Sequence, residues 1–172
     1  MLVVGAGAAG ILLAQAARSF GASSVVVCEP VASRRHVGEQ LDLDAVFADI
    51  DAAVDAHPER FSLVVDTTGE AEVLAASFNA TDTGGTLLVF GICAQGATVP
   101  VEPVKFYERE VQIVGSRGLN GTQGSAVELL ASGRVRWEPL VDDRHSLDDL
   151  PHALGRLGRG EVMKAVTVSG GV

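Results

Sequence analysis

Four residues near the start of this 172-residue chain have the types and spacing to hold a diphosphate and a sugar. Three are Gly5, Gly7 and Gly10, in the run Gly5-Ala6-Gly7-Ala8-Ala9-Gly10, and the fourth is Glu29, nineteen residues past Gly10. A glycine at position 5 permits a turn that a Cβ would obstruct. One at 7 lets the backbone approach a pyrophosphate, and one at 10 lets a helix pack closely on a strand. An anion would then sit at the helix N-terminus, where unpaired N–H groups and the helix dipole favour negative charge. The dipole contributes on the order of 1 kcal/mol, so it orients a phosphate more than it binds one. A carboxylate about 20 residues past the turn is placed to accept hydrogen bonds from an adenosine ribose. Glycine spacing alone is a weak signal; spacing, flanking strand and acid together are a stronger one.

These residues need a strand, a tight turn, a helix and a second strand to position them, and the sequence supplies that order. Leu2, Val3 and Val4 form an apolar run before the turn. Residues 8–20 read as a helix, with Ile11, Leu12, Ala16 and Ala17 facing a sheet and Gly21 as its cap. Residues 25–27 are β-branched and lead to Glu29. Further strands are expected at 45–48, 61–66, 86–90 and 111–114, and further helices at 33–41, 50–56, 70–80, 104–109 and 122–132. Residues 95–103 read as loop or a short edge strand. The near-continuous apolar run ending at Asp66 suits a parallel strand covered on both faces. Six strands alternating with helices imply an α/β fold of the Rossmann type, a doubly wound six-stranded parallel sheet with ligands across the carboxyl ends of its strands. The texture changes after Gly133. Residues 1–133 are therefore taken as the dinucleotide-binding sheet domain, and 134–172 as a C-terminal tail with a strand at 139–141, a helix at 147–157 and a strand at 164–168. The tail either completes the sheet domain or packs on a domain absent from this chain.

Composition narrows the function. Thirteen basic and twenty-two acidic residues give a net charge of −9, which argues against a nucleic-acid surface. Cys28 and Cys93 make neither a disulfide framework nor a zinc knuckle, and buried thiols in a reducing cytoplasm are the expectation. No apolar run approaches the length of a membrane span, and no signal peptide precedes the glycine turn, so a soluble, cytoplasmic chain is expected. Met1 falls inside the first strand, which is then either short or the start of a piece cut from something longer.

The segments GAGAAG, VVVCEP, FSLVVDTTG, GGTLLVFGI, EREVQIVGS and GEVMKAVTV, in that order, resemble the cofactor-binding C-terminal half of the zinc-dependent medium-chain dehydrogenases, which act on alcohols, polyols and threonine. The resemblance spans nearly the whole chain. It implies that Gly5, Gly7 and Gly10 form the pyrophosphate turn, that Ala8 and Ala9 open the helix beneath it, and that Glu29 holds the adenosine ribose. It implies that Arg34 lies beside the adenosine, and that Thr67 and Thr68 sit at the rim near the cofactor's ribose. By the same resemblance Phe90, Gly91 and Ile92 hold the nicotinamide amide, Ser116 and Arg117 end the sixth strand near that ring, and Lys164 reaches the cofactor phosphates from the tail. One departure is Leu41-Asp42-Leu43-Asp44, where the family usually has Leu-Gly-Ala-Asp, which puts the local turn in doubt. In the family the catalytic zinc is bound by a separate domain lying mostly before the glycine turn. His36, His57, His145 and His152 are never at ligand spacing here, so no metal site is expected in this chain.

Glu29 favours NAD over NADP. At about 4 Å and an effective dielectric of 20, a carboxylate repels a 2′-phosphate by roughly 4 kcal/mol per unit charge. Arg34 and Arg35 could offset part of this, though Arg35 reads as a solvated helix face. FAD is the competing cofactor, opposed by the continuing strand–helix alternation and by a single tryptophan and tyrosine. Short-chain dehydrogenase chemistry is excluded, because Tyr107 is followed four residues later by Val111 and not lysine. The expected function is therefore the NAD-binding part of a zinc-dependent alcohol or polyol dehydrogenase, inactive as an isolated chain. A non-catalytic NAD-binding or dimerising module and an FAD-binding fragment are the alternatives. Residues 97–116 place the sixth strand at a sheet edge, where the resemblance implies a homodimer; an edge covered by the tail is the alternative.

Overall fold

A computed structural model describes residues 1–118 and 121–169. The chain runs β1 (Leu2–Val4), α1 (Ala8–Ser19), β2 (Val26–Cys28), α2 (Ala32–Glu39), β3 (Ala45–Phe47), α3 (Ile50–Ala56), β4 (Phe61–Asp66), α4 (Ala71–Ala80), β5 (Thr81–Val89), α5 (Pro103–Arg109), β6 (Gln112–Gly115) and α6 (Gln123–Ala131). After α6 come β7 (Asp143–His145), α7 (Leu150–Gly158) and β8 (Ala165–Thr167), with single 3-10 turns at Glu138–Leu140 and Leu147–Asp149. Strands β1 to β6 form one parallel sheet in the order β3-β2-β1-β4-β5-β6. Connectivity reverses between β1 and β4, the place where such sheets open a ligand crevice.

Alternation along the strands sends side chains to both faces, and at the centre of the sheet, over β1 and β2, both are covered. Leu2, Val4, Val26, Cys28 and Val64 pack with Phe61, Phe78 and Leu87 on one face. Val3, Val25 and Val27 pack with Ile11, Ala14, Leu41 and Leu140 on the other. Burying each such aliphatic side chain stabilises the fold by roughly 1.5–3 kcal/mol. Register aligns the carboxyl ends: Val4 stands opposite Cys28 and Asp66, and Asp66 opposite Val89. Helix α1 ends as expected, with Gly21 at φ +97 and the Ala22 amide donating to the Ala17 carbonyl at 3.0 Å.

Three expectations need correction. Strand β5 begins at Thr81 and not Thr86, because Thr81 pairs with Phe61 before the register shifts ahead of Leu63. The strand expected at 139–141 is a 3-10 turn over Glu138–Leu140, since Pro139 has no N–H for a ladder but suits a first helical turn. Tail pairing occurs instead between β7 and β8, a separate parallel pair outside the main sheet. The helix expected at 147–157 is split, with α7 starting at Leu150 and Pro151 in its first turn.

The tail packs on α1. Gln15 Nε2 donates to the Arg136 carbonyl at 3.0 Å, and the Arg136 amide donates back to Gln15 Oε1 at 2.8 Å. Leu140 and Met163 join the core on that face. At the opposite edge all four residues of β6 are exposed, and neither α5 nor α6 buries a residue.

Candidate functional site

Between β1 and α1 the glycine turn has the shape its spacing implies. Gly5 adopts φ +99, a conformation that L side chains avoid. A Cβ on Gly10 would stand 2.0 Å from the Gly5 carbonyl oxygen, so helix and turn touch backbone to backbone. Gly7 differs: it is the N-cap of α1, at φ −65 and ψ 172, and a Cβ there would meet open space. No side chain caps this helix, so the amides of its first turn at Ala8 and Ala9 remain for an external acceptor.

A cavity of about 660 Å³ opens over this turn along the carboxyl ends of the strands. Of the residues singled out in the sequence, Gly5, Gly7, Glu29, Arg34, Thr67 and Thr68 line it. Ala8, Ala9 and Gly10 lie in the first turn of α1 just behind. Glu29 is only 4% exposed. Its Oε2 accepts from the Ala6 amide at 2.8 Å and its Oε1 from the Val31 amide at 3.0 Å. The sequence reading left this carboxylate free for a ligand; in the fold it also fastens the glycine turn to the end of β2. Each oxygen keeps a second lone pair, so a further hydroxyl can still donate to it.

Arg34 places its guanidinium 4.0 Å from Glu29 Oε1. Arg35 is not a solvated helix face. Its Nη1 donates to the carbonyls of Glu29 and Pro30 at 2.8 and 2.7 Å, closing the turn into α2. Asp49, Asp51, Glu70 and Glu72 line the same cavity, whose acidic groups outnumber its one basic side chain, Arg34. Asp49 also caps α3, accepting from the Ala52 amide at 2.8 Å.

Thr67 and Thr68 leave β4 with their hydroxyls committed: Thr67 donates to the Val4 carbonyl at 2.7 Å and Thr68 to Asp66 Oδ1 at 2.6 Å. Asp66 is fully buried and its Oδ2 has no partner among the described residues. Sequence reasoning took Asp66 only as the end of a strand; its position beside two threonines at a parallel strand's tip was the available signal. The Phe90–Gly91 turn rests on the same place, both amides donating to the Asp66 carbonyl at 3.0 and 2.8 Å. Ile92, beyond them, is 94% exposed. Ser116 and Arg117 are exposed past the end of β6, and neither lines the cavity. Lys164 is exposed in the tail, its amide held by Asp142 Oδ1 at 3.0 Å, and it too lies outside the cavity lining.

Cys28 lines the cavity as a buried thiol, and burial pushes it up to about 12, with the Glu29 carboxylate adding to the rise. Buried Asp143 and His145 approach to 3.9 Å in the tail, but a zinc site needs three or four convergent ligands. Among the described residues no three His, Cys, Asp or Glu side chains converge.

A six-stranded parallel sheet with helices on both faces and a glycine turn at its reversal point defines a Rossmann-type α/β domain. The chain belongs to the zinc-binding dehydrogenase family, whose model matches residues 8–132. It is 33% identical over 175 residues to a sorbitol dehydrogenase from Gallus gallus, covering 95% of this chain and 48% of that protein. It is 28% identical over 172 residues to D-arabinitol dehydrogenase 1 from Uromyces fabae, covering 95% and 49%. A solved structure described as a zinc-binding dehydrogenase from Sinorhizobium meliloti 1021, bound to NADP, superposes with a TM-score of 0.81 at 27% identity, covering 99% of this chain and 50% of that one. The chain spans about half the length of the curated relatives it matches.

Proposed function

We propose that this chain is the half of an alcohol or polyol dehydrogenase that binds the nicotinamide dinucleotide. One observation carries the reading: the uncapped N-terminus of α1, the Gly5–Gly10 turn and the Glu29 carboxylate face one crevice at the reversal point of the sheet. In this reading the Ala8 and Ala9 amides take the pyrophosphate, and Gly7 gives it room. Glu29 accepts the adenosine ribose hydroxyls, Arg34 flanks the adenosine, and Thr67 and Thr68 border the crevice. Phe90, Gly91 and Ile92 receive the nicotinamide end, Ser116 and Arg117 approach it from β6, and Lys164 reaches the cofactor phosphates from the tail. A bound nicotinamide ring supplies hydride chemistry. This chain orients the ring, and the isolated chain turns over no alcohol.

NAD is preferred over NADP in this reading. Five carboxylates line the cavity (Glu29, Asp49, Asp51, Glu70 and Glu72) against the guanidinium of Arg34, a poor setting for a 2′-phosphate. The zinc belongs to a domain outside this chain. A homodimer through the β6 edge and a cytoplasmic location complete the proposal. The edge is supported by Ile113 and Val114, both 44% exposed on an outermost strand. No helix among the described residues is long and apolar enough to cross a membrane.

Titrating the purified chain with NADH and NADPH, followed by nicotinamide fluorescence, tests the assignment. Saturable binding with NADH the tighter ligand is expected. Failure of both to bind removes the assignment, and tighter NADPH binding removes the cofactor preference.

A further inference from the structure

We infer that Thr67 is a positioning residue for the pyrophosphate turn, acting through Val4 and Gly5 and not by donating to the pyrophosphate; this rests on the dinucleotide-binding reading above. A threonine hydroxyl has one proton to donate. Here it is directed at backbone, with Oγ1 2.7 Å from the Val4 carbonyl oxygen and 3.3 Å from that of Gly5. An ionised phosphodiester offers no proton, so the hydroxyl's remaining lone pairs have nothing to accept from it. The hydroxyl is thus used up before a pyrophosphate arrives.

The same oxygen also crowds two of the three glycine positions. A Cβ on Gly5 would lie 2.7 Å from Thr67 Oγ1, and one on Gly10 would lie 3.0 Å from it. Thr67 fills the niche that both missing side chains leave, and its bonds hold the turn where Gly5 must adopt φ +99. Gly7 alone keeps its open side for a ligand.

On its other side Thr67 meets the turn after β5. A Cβ on Gly91 would stand 2.9 Å from the Thr67 carbonyl carbon, and the Gly91 amide donates to the Asp66 carbonyl at 2.8 Å. The exit of β4 is therefore gripped between the turn that takes the pyrophosphate and the turn that takes the nicotinamide end. Thr67 sets the position of the first against the second.

Two variants separate this role from a ligand contact or a general loss of folding. Thr67→Val keeps the volume and removes the donor; Thr67→Ser keeps the donor. For the full chain, Thr67→Val is expected to weaken both NADH and ADP-ribose by about tenfold, the scale of one hydrogen bond. Thr67→Ser should restore affinity to within about threefold of the parent, well inside the effect of one such bond. Hydrogen exchange at the amides of residues 5–7 should quicken in Thr67→Val, with those of β2 unchanged. Parental NADH affinity in Thr67→Val overturns the inference. So does a tenfold loss in Thr67→Ser, which also decides the matter if Thr67→Val does not fold. Absence of NADH binding by the parent chain overturns instead the reading on which it rests.

Discussion

The Ala6 amide donates to Glu29 Oε2 at 2.8 Å across twenty-three residues of chain. The end of β2 and the glycine turn are thereby fastened together, and the carboxylate does two things: it shapes the turn, and it lines the crevice.

Replacing Glu29 by Gln should expose both tasks. The amide brings one acceptor oxygen to a site with two N–H donors, at a cost of about 1–3 kcal/mol of stability. The loss of charge should raise affinity for NADPH relative to NADH by at least about tenfold, a fraction of the roughly 4 kcal/mol repulsion at contact distance. Parallel titrations of the two nucleotides and a denaturant unfolding curve measure the two effects. An unchanged NADPH-to-NADH ratio would remove Glu29 as the discriminating group.

Gly10 and Gly7 should respond in opposite ways to alanine. At Gly10 the new Cβ meets a backbone oxygen at 2.0 Å, which cannot move aside as a flexible side chain could. Gly10→Ala should destabilise the fold by at least about 2 kcal/mol. At Gly7 the conformation suits any residue and the Cβ meets nothing, so Gly7→Ala should stay within about 1 kcal/mol of the parent. Its methyl nevertheless enters the space over the α1 N-terminus, and NADH binding should fall. Thermal melting alongside NADH titration separates the pair, and full NADH affinity in Gly7→Ala would place the pyrophosphate elsewhere.

The buried Cys28 thiol gives an alkaline signature. Its ordinary value of 9.0 is raised to about 12 by burial. Between those values the folded chain keeps a proton that the unfolded chain has lost, so stability falls as pH rises through the window. The slope from this group approaches about 1.4 kcal/mol per pH unit. Below pH 9 the contribution is fully present. Cys28→Ala should flatten this part of the profile when both proteins are unfolded with denaturant across the window. Alkylation of the native chain near neutral pH should label the half-buried Cys93 first, read by peptide mass.

The β6 edge should set the association state. Ile113→Lys puts a charge on an exposed outer strand without touching the core. Sedimentation of the parent as a dimer and of the variant as a monomer, with unchanged circular dichroism, is the expected outcome. A monomeric parent would remove the edge as an interface.

Much of the fold could be read along the chain because its determinants are local. A run such as Phe61–Asp66 is buried on both faces wherever it sits in a parallel sheet, and the span read from its apolar pattern is the span of β4. Gly5 announces a turn because the absence of a Cβ permits its φ of +99. In the tail, the same reading put a strand over Pro139, where the missing N–H favours a helical turn, and overlooked Asp143–His145. A three-residue strand carries too little periodicity to be seen without its partner β8.

The sequence could supply the chemical types at the crevice: glycines without side chains, a carboxylate at the tip of β2, threonines at the tip of β4. It could not say which of their hydrogen bonds would be spent inside the protein. That Glu29 reaches back to Ala6 and Thr67 to Val4 depends on strands coming into register. Those partners are 23 and 63 positions apart, and no local pattern encodes such a distance. Composition and spacing are properties of neighbouring residues, whereas the direction of a side chain is settled by whichever backbone the sheet brings beside it.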